Sequence, residues 1–227
     1  GWIGTGKKTF QFEKNFSKYL NVKNSLALSS CTAGLYLSLK SLNLKNGDEV
    51  ITTPMTFCST VNSILNAGGK PVLVDINEKT LNIDEKQITK NINKKTKAIL
   101  VVHFAGRIAN IEEIKKICKK FNLFLIEDCA HAIETKFKNK HAGTFGDYGC
   151  FSFYVTKNIT TNGEGGILIS NRKKSLDDIR KISLHGMTKN AWDRYGKKGY
   201  KDYDIVAAGY KFNMTNLQAV CGIAQLK

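Results

Sequence analysis

No apolar stretch in this chain approaches the ~20 residues that a membrane-spanning helix requires. The first residues, Gly1-Trp2-Ile3-Gly4-Thr5-Gly6-Lys7-Lys8, carry no apolar core of the signal-peptide kind, so a cytoplasmic protein is the expectation. There is no C-x-x-C pair and no cysteine spacing suited to a metal. The six cysteines (Cys31, Cys58, Cys118, Cys129, Cys150, Cys221) read as small buried apolar residues with reduced thiols, not as a disulfide framework. Arginine is scarce, with only Arg107, Arg172, Arg180 and Arg194. The remaining basic residues are dispersed lysines, so the formal charge of +16 reads as a solvated surface rather than a nucleic-acid footprint. Internal repeats, low-complexity tracts and linkers are also missing. The segment Gly1 to Thr9 falls short of a G-x-x-x-x-G-K-[S/T] phosphate loop, because position 8 is lysine and no strand precedes it.

What is present is an ordinary globular composition, 42% hydrophobic and 24% charged over 227 residues, enough for one sizeable core with at most a small appendage. Strand-like and helix-like segments alternate. Strands are expected at 25–28, 49–53, 70–75, 98–102, 123–126, 149–153 and 166–169. Helices are expected at 32–42, 56–67, 111–121 and 216–226, with turns at Gly47-Asp48 and Gly68-Gly69. Near-continuous Val/Ile/Leu strands separated by helices predict an α/β fold with a mostly parallel central sheet and helices on both faces. Residues 192–206, polar and dotted with glycine and tyrosine, read as a surface excursion before the closing helix.

Two residues carry the strongest chemical signal. Lys157 follows the strand-like Phe151-Ser152-Phe153-Tyr154, and Asp128 ends the run Phe124-Leu125-Ile126-Glu127-Asp128. A lysine amine condenses with an aldehyde, and an aspartate can keep a pyridine nitrogen protonated. These are the two protein groups that pyridoxal 5'-phosphate (PLP) chemistry needs. Around them, Ser29-Ser30-Cys31-Thr32-Ala33-Gly34 joins a strand to a helix start and offers either a phosphate cradle or a plain helix cap. Phe57 could lie against a flat ring or pack in the core. His131 could reach a ring hydroxyl or bond backbone. Ser152 could face a phosphate or be a satisfied buried hydroxyl, and Asp128 itself could be a helix N-cap.

Taken in order, these segments resemble the DegT/DnrJ-type family of PLP-dependent nucleotide-sugar aminotransferases, which have an aspartate aminotransferase-like fold. The resemblance runs through nearly the whole chain. It rests on Gly1 to Gly6 with Phe12-Glu13, Ser30-Cys31-Thr32-Ala33, Pro54-Met55-Thr56-Phe57, His103-Phe104-Ala105-Gly106 and Glu127-Asp128-Cys129-Ala130-His131-Ala132. It continues through Gly146-Asp147, Phe151-Ser152-Phe153, Lys157, Gly163-Glu164-Gly165-Gly166 and Gly209 to Thr215 with Gln218-Ala219. It implies that Lys157 holds the cofactor and later moves the substrate proton. It further implies that Asp128 pairs with the pyridinium nitrogen, that His131 stands near the ring hydroxyl and that Phe57 stacks on the ring. Thr32, Ala33 and Ser152 would hold the phosphate. Asn213, or alternatively Lys211, would contact it across a homodimer with shared sites.

The resemblance also implies an amino-acid donor, L-glutamate, and a nucleotide-sugar acceptor, in amino-sugar and surface-glycan synthesis. No metal, nucleic acid or membrane is expected as a partner. Arg107, Glu134 and Asn162 depart from the family pattern, so substrate-side contacts are expected to differ. Residues 1–227 are expected to form the PLP-binding large domain, truncated at both ends and without the smaller C-terminal domain. The rival expectations are a non-catalytic remnant that binds cofactor or sugar nucleotide, and a related PLP-dependent sugar dehydratase. The latter typically has His where this chain has Lys157.

Overall fold

A computed structural model describes residues 1–170, 173–189 and 200–227, with backbone alone at 173 and 174. Its helices are α1 (Lys7–Leu20), α2 (Cys31–Lys40), α3 (Cys58–Asn66), α4 (Glu85–Asn91), α5 (Ile111–Phe121), α6 (Lys173–Ile182) and α7 (Asn216–Gln225). Its strands are β1 (Ser25–Leu28), β2 (Glu49–Thr52), β3 (Lys70–Leu73), β4 (Thr96–Val102), β5 (Phe124–Asp128), β6 (Lys136–Phe137), β7 (Lys140–His141), β8 (Tyr148–Ser152) and β9 (Gly166–Ser170). The chain divides into two compact units, Gly34–Phe151 and Gly1–Ala33 with Ser152–Lys227.

In the unit Gly34–Phe151, β2 runs parallel to β3 and β4, β4 to β5, and β5 to β8. Alternate side chains of these strands face opposite ways. Ile51, Ile99, Val101 and Leu125 pack with Ile88, Ile111, Ile114 and Ile117 from α4 and α5. Val50, Leu100 and Ile126, pointing the other way, are equally buried. Both faces of the sheet are therefore covered, and the expected mostly parallel α/β architecture is what forms. All five strands end on one edge, and register sets Val102 and Cys150 on either side of Asp128 there.

The other unit is organised by α1, whose buried residues Thr9, Phe12, Glu13, Phe16 and Leu20 fall on one helical face. Phe12, Phe16 and Phe153 form an edge-to-face cluster with centroids 5.3 to 6.1 Å apart. Gly222 of α7 lies flush on it, since a Cβ there would meet Phe12 Cζ at 2.6 Å. β1 pairs antiparallel with β9. The Arg180 guanidinium donates twice to Glu13 (3.0 and 2.9 Å), and Glu13 Oε1 also accepts from the Ala27 N–H. This bidentate pair fastens α6 to α1 and β1.

Several expectations need correction. Residues 7–20, 85–91, 136–141 and 173–182 carry elements that the sequence pattern did not assign. The third strand stops at Leu73 rather than 75, and the strand into Asp128 runs from Phe124 rather than over 123–126. Cys58 is exposed at the first position of α3 and Cys221 in α7 is half-buried, so only four of the six cysteines are buried, although all six are free thiols as expected. Of the expected surface excursion, 192–199 lies outside the described residues, and 200–206 is mostly exposed.

Truncating Phe12 to Ala should cost about 3–5 kcal/mol, because it empties the centre of the aromatic cluster. Urea unfolding would read this as a lower midpoint at unchanged slope. A cost below about 1 kcal/mol would contradict the packing described.

Candidate active site

The edge where the parallel strands end collects the polar groups, as expected for an open α/β sheet. β5 finishes in two consecutive carboxylates, Glu127 and Asp128, both buried. They are satisfied very differently. Glu127 Oε1 accepts from the backbone N–H groups of Phe145 (2.7 Å) and Gly146 (2.6 Å). Its Oε2 accepts from the Gly143 N–H (2.8 Å) and pairs with His103 Nε2 (3.0 Å). The Ala109 N–H donates to His103 Nδ1 at 3.2 Å, so the ring proton sits on Nε2 and points at Glu127. Four donors saturate this carboxylate. The adjacent Cys129 thiol could complete a metal-like trio with His103 and Glu127. The loop 143–146 already provides what a cation would, and the trio reads as a structural clamp. Glycine is required in that loop: a Cβ on Gly143, at φ +84°, would meet Phe151 Cζ at 2.6 Å.

Asp128 is held from α3 and from the loop after β5. Oδ1 accepts from the Ala130 N–H at 3.1 Å and Oδ2 from the Thr60 hydroxyl at 2.9 Å. It is 5% exposed. Burial pushes its carboxyl above the usual carboxylate range. The Ala130 and Thr60 hydrogen bonds, with the charge of His131, oppose that shift without cancelling it. The N-cap reading is thereby replaced by a desolvated acid at a strand end. His131 is exposed in the turn that follows.

Phe57 stands at the N-cap position of α3, 76% exposed, so core packing does not account for it. One turn further, Thr60 reaches Asp128, which brings Phe57, Asp128 and His131 to the same strand edge. Thr60 and the Glu127–His103 clamp were not singled out from sequence. The available signal was a hydroxyl residue three positions after Phe57, on the helix that also buries Ile64.

The remaining candidates belong to the other unit. Thr32 is exposed in the first turn of α2. The Ala33 N–H donates to Ser30 Oγ at 3.0 Å, so the turn is a helix cap as well as a possible cradle. β9 approaches this turn so closely that a Cβ on Gly166 would meet Ser30 C at 2.2 Å. Ser152 Oγ accepts from the Tyr154 N–H at 3.3 Å. Lys157, half-buried, ends a turn in which its N–H donates to Tyr154 O at 2.9 Å. Asn213 bridges Leu28 through backbone, donates from Nδ2 to Thr5 Oγ1 (2.7 Å) and accepts from Lys211 Nζ. Asn213 and Lys211 are therefore direct neighbours. The Ser29 N–H also donates to Phe212 O, which draws this segment to the 29–33 turn.

The burial of Asp128 has a stability consequence. Its folded pKa is raised above the unfolded value of about 3.9, so the folded chain holds that proton more tightly. The resulting stabilisation is full below the unfolded pKa and is lost as pH rises through the folded one. Asp128→Asn should therefore raise the Tm of the cofactor-free protein by several degrees at pH 8. The gap should close toward pH 4 in thermal melts, and a lower Tm for the variant at pH 8 would contradict this.

Comparison with known proteins places these residues in context. The profile of the DegT/DnrJ/EryC1/StrS aminotransferase family matches residues 1–227. The uncharacterized protein MJ1066 of Methanocaldococcus jannaschii is 48% identical over 226 residues, covering 100% of this chain and 58% of that protein. The spore coat polysaccharide biosynthesis protein SpsC of Bacillus subtilis is 45% identical over 227 residues, again 100% of this chain and 58% of SpsC. The chain thus spans 58% of the length of these curated relatives. Helicobacter pylori PseC, an aminotransferase involved in the biosynthesis of pseudoaminic acid, matches with a TM-score of 0.91 at 32% identity, covering 99% of this chain and 58% of PseC. Spr1654 of Streptococcus pneumoniae in its PMP form matches with a TM-score of 0.90 at 34% identity, covering 100% of this chain and 61% of Spr1654. With its profile matched from end to end, the chain belongs to the DegT/DnrJ/EryC1/StrS aminotransferase family.

Proposed function

We propose that this protein is a PLP-dependent aminotransferase that moves an amino group from L-glutamate to a keto group on a nucleotide-linked sugar, in the synthesis of surface glycans. The observation that carries this reading is Asp128, a buried acid held above its usual pKa at the carboxyl edge of a parallel sheet. Burial disfavours the bare charge of such a carboxylate, and a protonated ring nitrogen beside it would stabilise that charge. The exposed Phe57 face at the same edge suits a flat aromatic cofactor. Membership in the aminotransferase family and the PLP form of the structurally similar Spr1654 support the same cofactor.

When bound, PLP supplies an aldehyde that can carry the amino group and a ring that takes up electrons from the broken Cα–H bond of the donor. The chain's own groups would do the rest. Lys157 Nζ would hold the aldehyde carbon between turnovers. It would then take the proton from the donor's Cα and return one to the sugar carbon. Asp128 would keep the ring nitrogen protonated, and His131 would hydrogen-bond the ring hydroxyl. Phe57 would cover one ring face. The Thr32 hydroxyl, Ala33 and Ser152 Oγ would hold the phosphate. Asn213, beside Lys211, would contact the phosphate of a second copy in a homodimer. Glutamate leaves as 2-oxoglutarate and the keto sugar as an amino sugar, so no external oxidant is required.

Among the described residues no helix is long and apolar enough to cross a membrane, and a cytoplasmic site of action fits nucleotide-linked substrates.

Incubated with PLP, the protein should absorb in the visible, and L-glutamate should bleach that band. Lys157→Ala should lose both the band and turnover by at least about a thousandfold, since the nucleophile and the proton carrier go together. Turnover retained in the Lys157 variant would sink the mechanism.

A further inference from the structure

Thr60 is fully buried on α3, and its hydroxyl lies between two oxygens: Asp128 Oδ2 at 2.9 Å and Thr56 Oγ1 at 2.7 Å. A hydroxyl has one proton and an ionised carboxylate has none. When Asp128 is ionised the Thr60 proton must point at Oδ2, so the Thr56 hydroxyl donates to the Thr60 oxygen. The chain of donors therefore has one polarity, from Thr56 through Thr60 to Asp128. The torsion that turns a carboxylate is otherwise broad and two-fold. Here one oxygen is pinned by Thr60 from α3 and the other by the Ala130 N–H from the loop after β5.

We propose that Thr60, backed by Thr56, is a positioning residue for Asp128: its hydroxyl fixes the carboxylate plane and holds the negative charge ready for the cofactor's ring nitrogen. This inference rests on the PLP reading above and assigns a role to a residue outside the set that would touch the cofactor. Burial works against the charge on Asp128, and the Thr60 hydrogen bond works for it. Other titratable or charged groups facing Asp128 are His103 from the end of β4, His131 in the following turn, the Cys150 thiol on β8 and the neighbouring Glu127. None of them is altered by changing Thr60.

The inference predicts a pattern opposite to that of a packing role. Thr60→Val keeps the shape and removes the donor, whereas Thr60→Ser keeps the donor and removes a methyl group. In equilibrium dialysis with PLP, Thr60→Val should weaken binding about tenfold or more, the usual worth of a hydrogen bond to a charged group. Thr60→Ser and Thr56→Val should stay within about threefold of wild type, because both keep a Thr60-type donor on Oδ2. A silent Val variant with a damaged Ser variant would mean that Thr60 only packs.

A second measurement needs no cofactor. Urea unfolding of the wild-type protein, Thr60→Val, Asp128→Asn and the double variant should show a Val penalty that grows as pH rises through the titration of Asp128. That growth should vanish in the Asp128→Asn background. A penalty equal at every pH, or one that still grows without Asp128, overturns the relay. Failure of the wild-type protein to take up PLP would instead overturn the functional reading, while the unfolding cycle still judges the hydrogen bond.

Discussion

Two successive carboxylates buried at one strand end are the constraint around which the unit Gly34–Phe151 is arranged. A buried charge is tolerated only where donors replace the water it has lost. Glu127 receives four, three of them backbone N–H groups that oblige residues 143–146 to fold tightly around it. Asp128, one residue on, accepts from the Thr60 hydroxyl and the Ala130 N–H, and burial still raises its pKa. The same strand end thus holds one acid fixed as structure and one whose charge burial disfavours. The first makes the loop and β4 rigid. The second is the natural place for a cationic ligand group.

The unit Gly1–Ala33 with Ser152–Lys227 solves a related problem with side chains. Glu13 is buried because Arg180 and the Ala27 N–H meet it. Asn216 joins α7 to the start of α1, its Oδ1 accepting from the N–H and hydroxyl of Thr9 and its Nδ2 donating to Trp2 O. The loop after Lys157 is held from α7 as well. Gln225 Oε1 accepts from the Thr160 N–H, and Gln218 Nε2 donates to Glu164 O. Helix α7 begins with a capping box between Thr215 and Gln218, so one glutamine both starts the helix and steadies the glycine-rich loop.

Much of this was legible in residue patterns. Helix α5 matches the expected 111–121: acids in its first turn, lysines in its last and a left-handed Asn122 after it all mark its ends. Asp128 was visible because an acid closing an apolar strand needs an explanation. Helix α1 was not assigned although Phe12, Phe16 and Leu20 repeat every four residues, partly because Gly6 offers no capping side chain. Helix α4 is seven residues long with only Ile88 buried, and β6 and β7 are two residues each, too short for any periodicity. The spacing of Thr60 from Phe57 was too weak a signal, because its partner lies 68 positions away and hydroxyl residues are common at helix starts.

The central claim is that Lys157 is the amine that holds the cofactor. Reducing the PLP-loaded protein with borohydride fixes any such linkage as a stable secondary amine, and mass spectrometry of a digest then identifies the modified residue. The account predicts a phosphopyridoxyl group on the peptide containing Lys157 and on no other lysine at stoichiometric yield. A label spread over surface lysines, or one concentrated elsewhere while Lys157 stays unmodified, would contradict it.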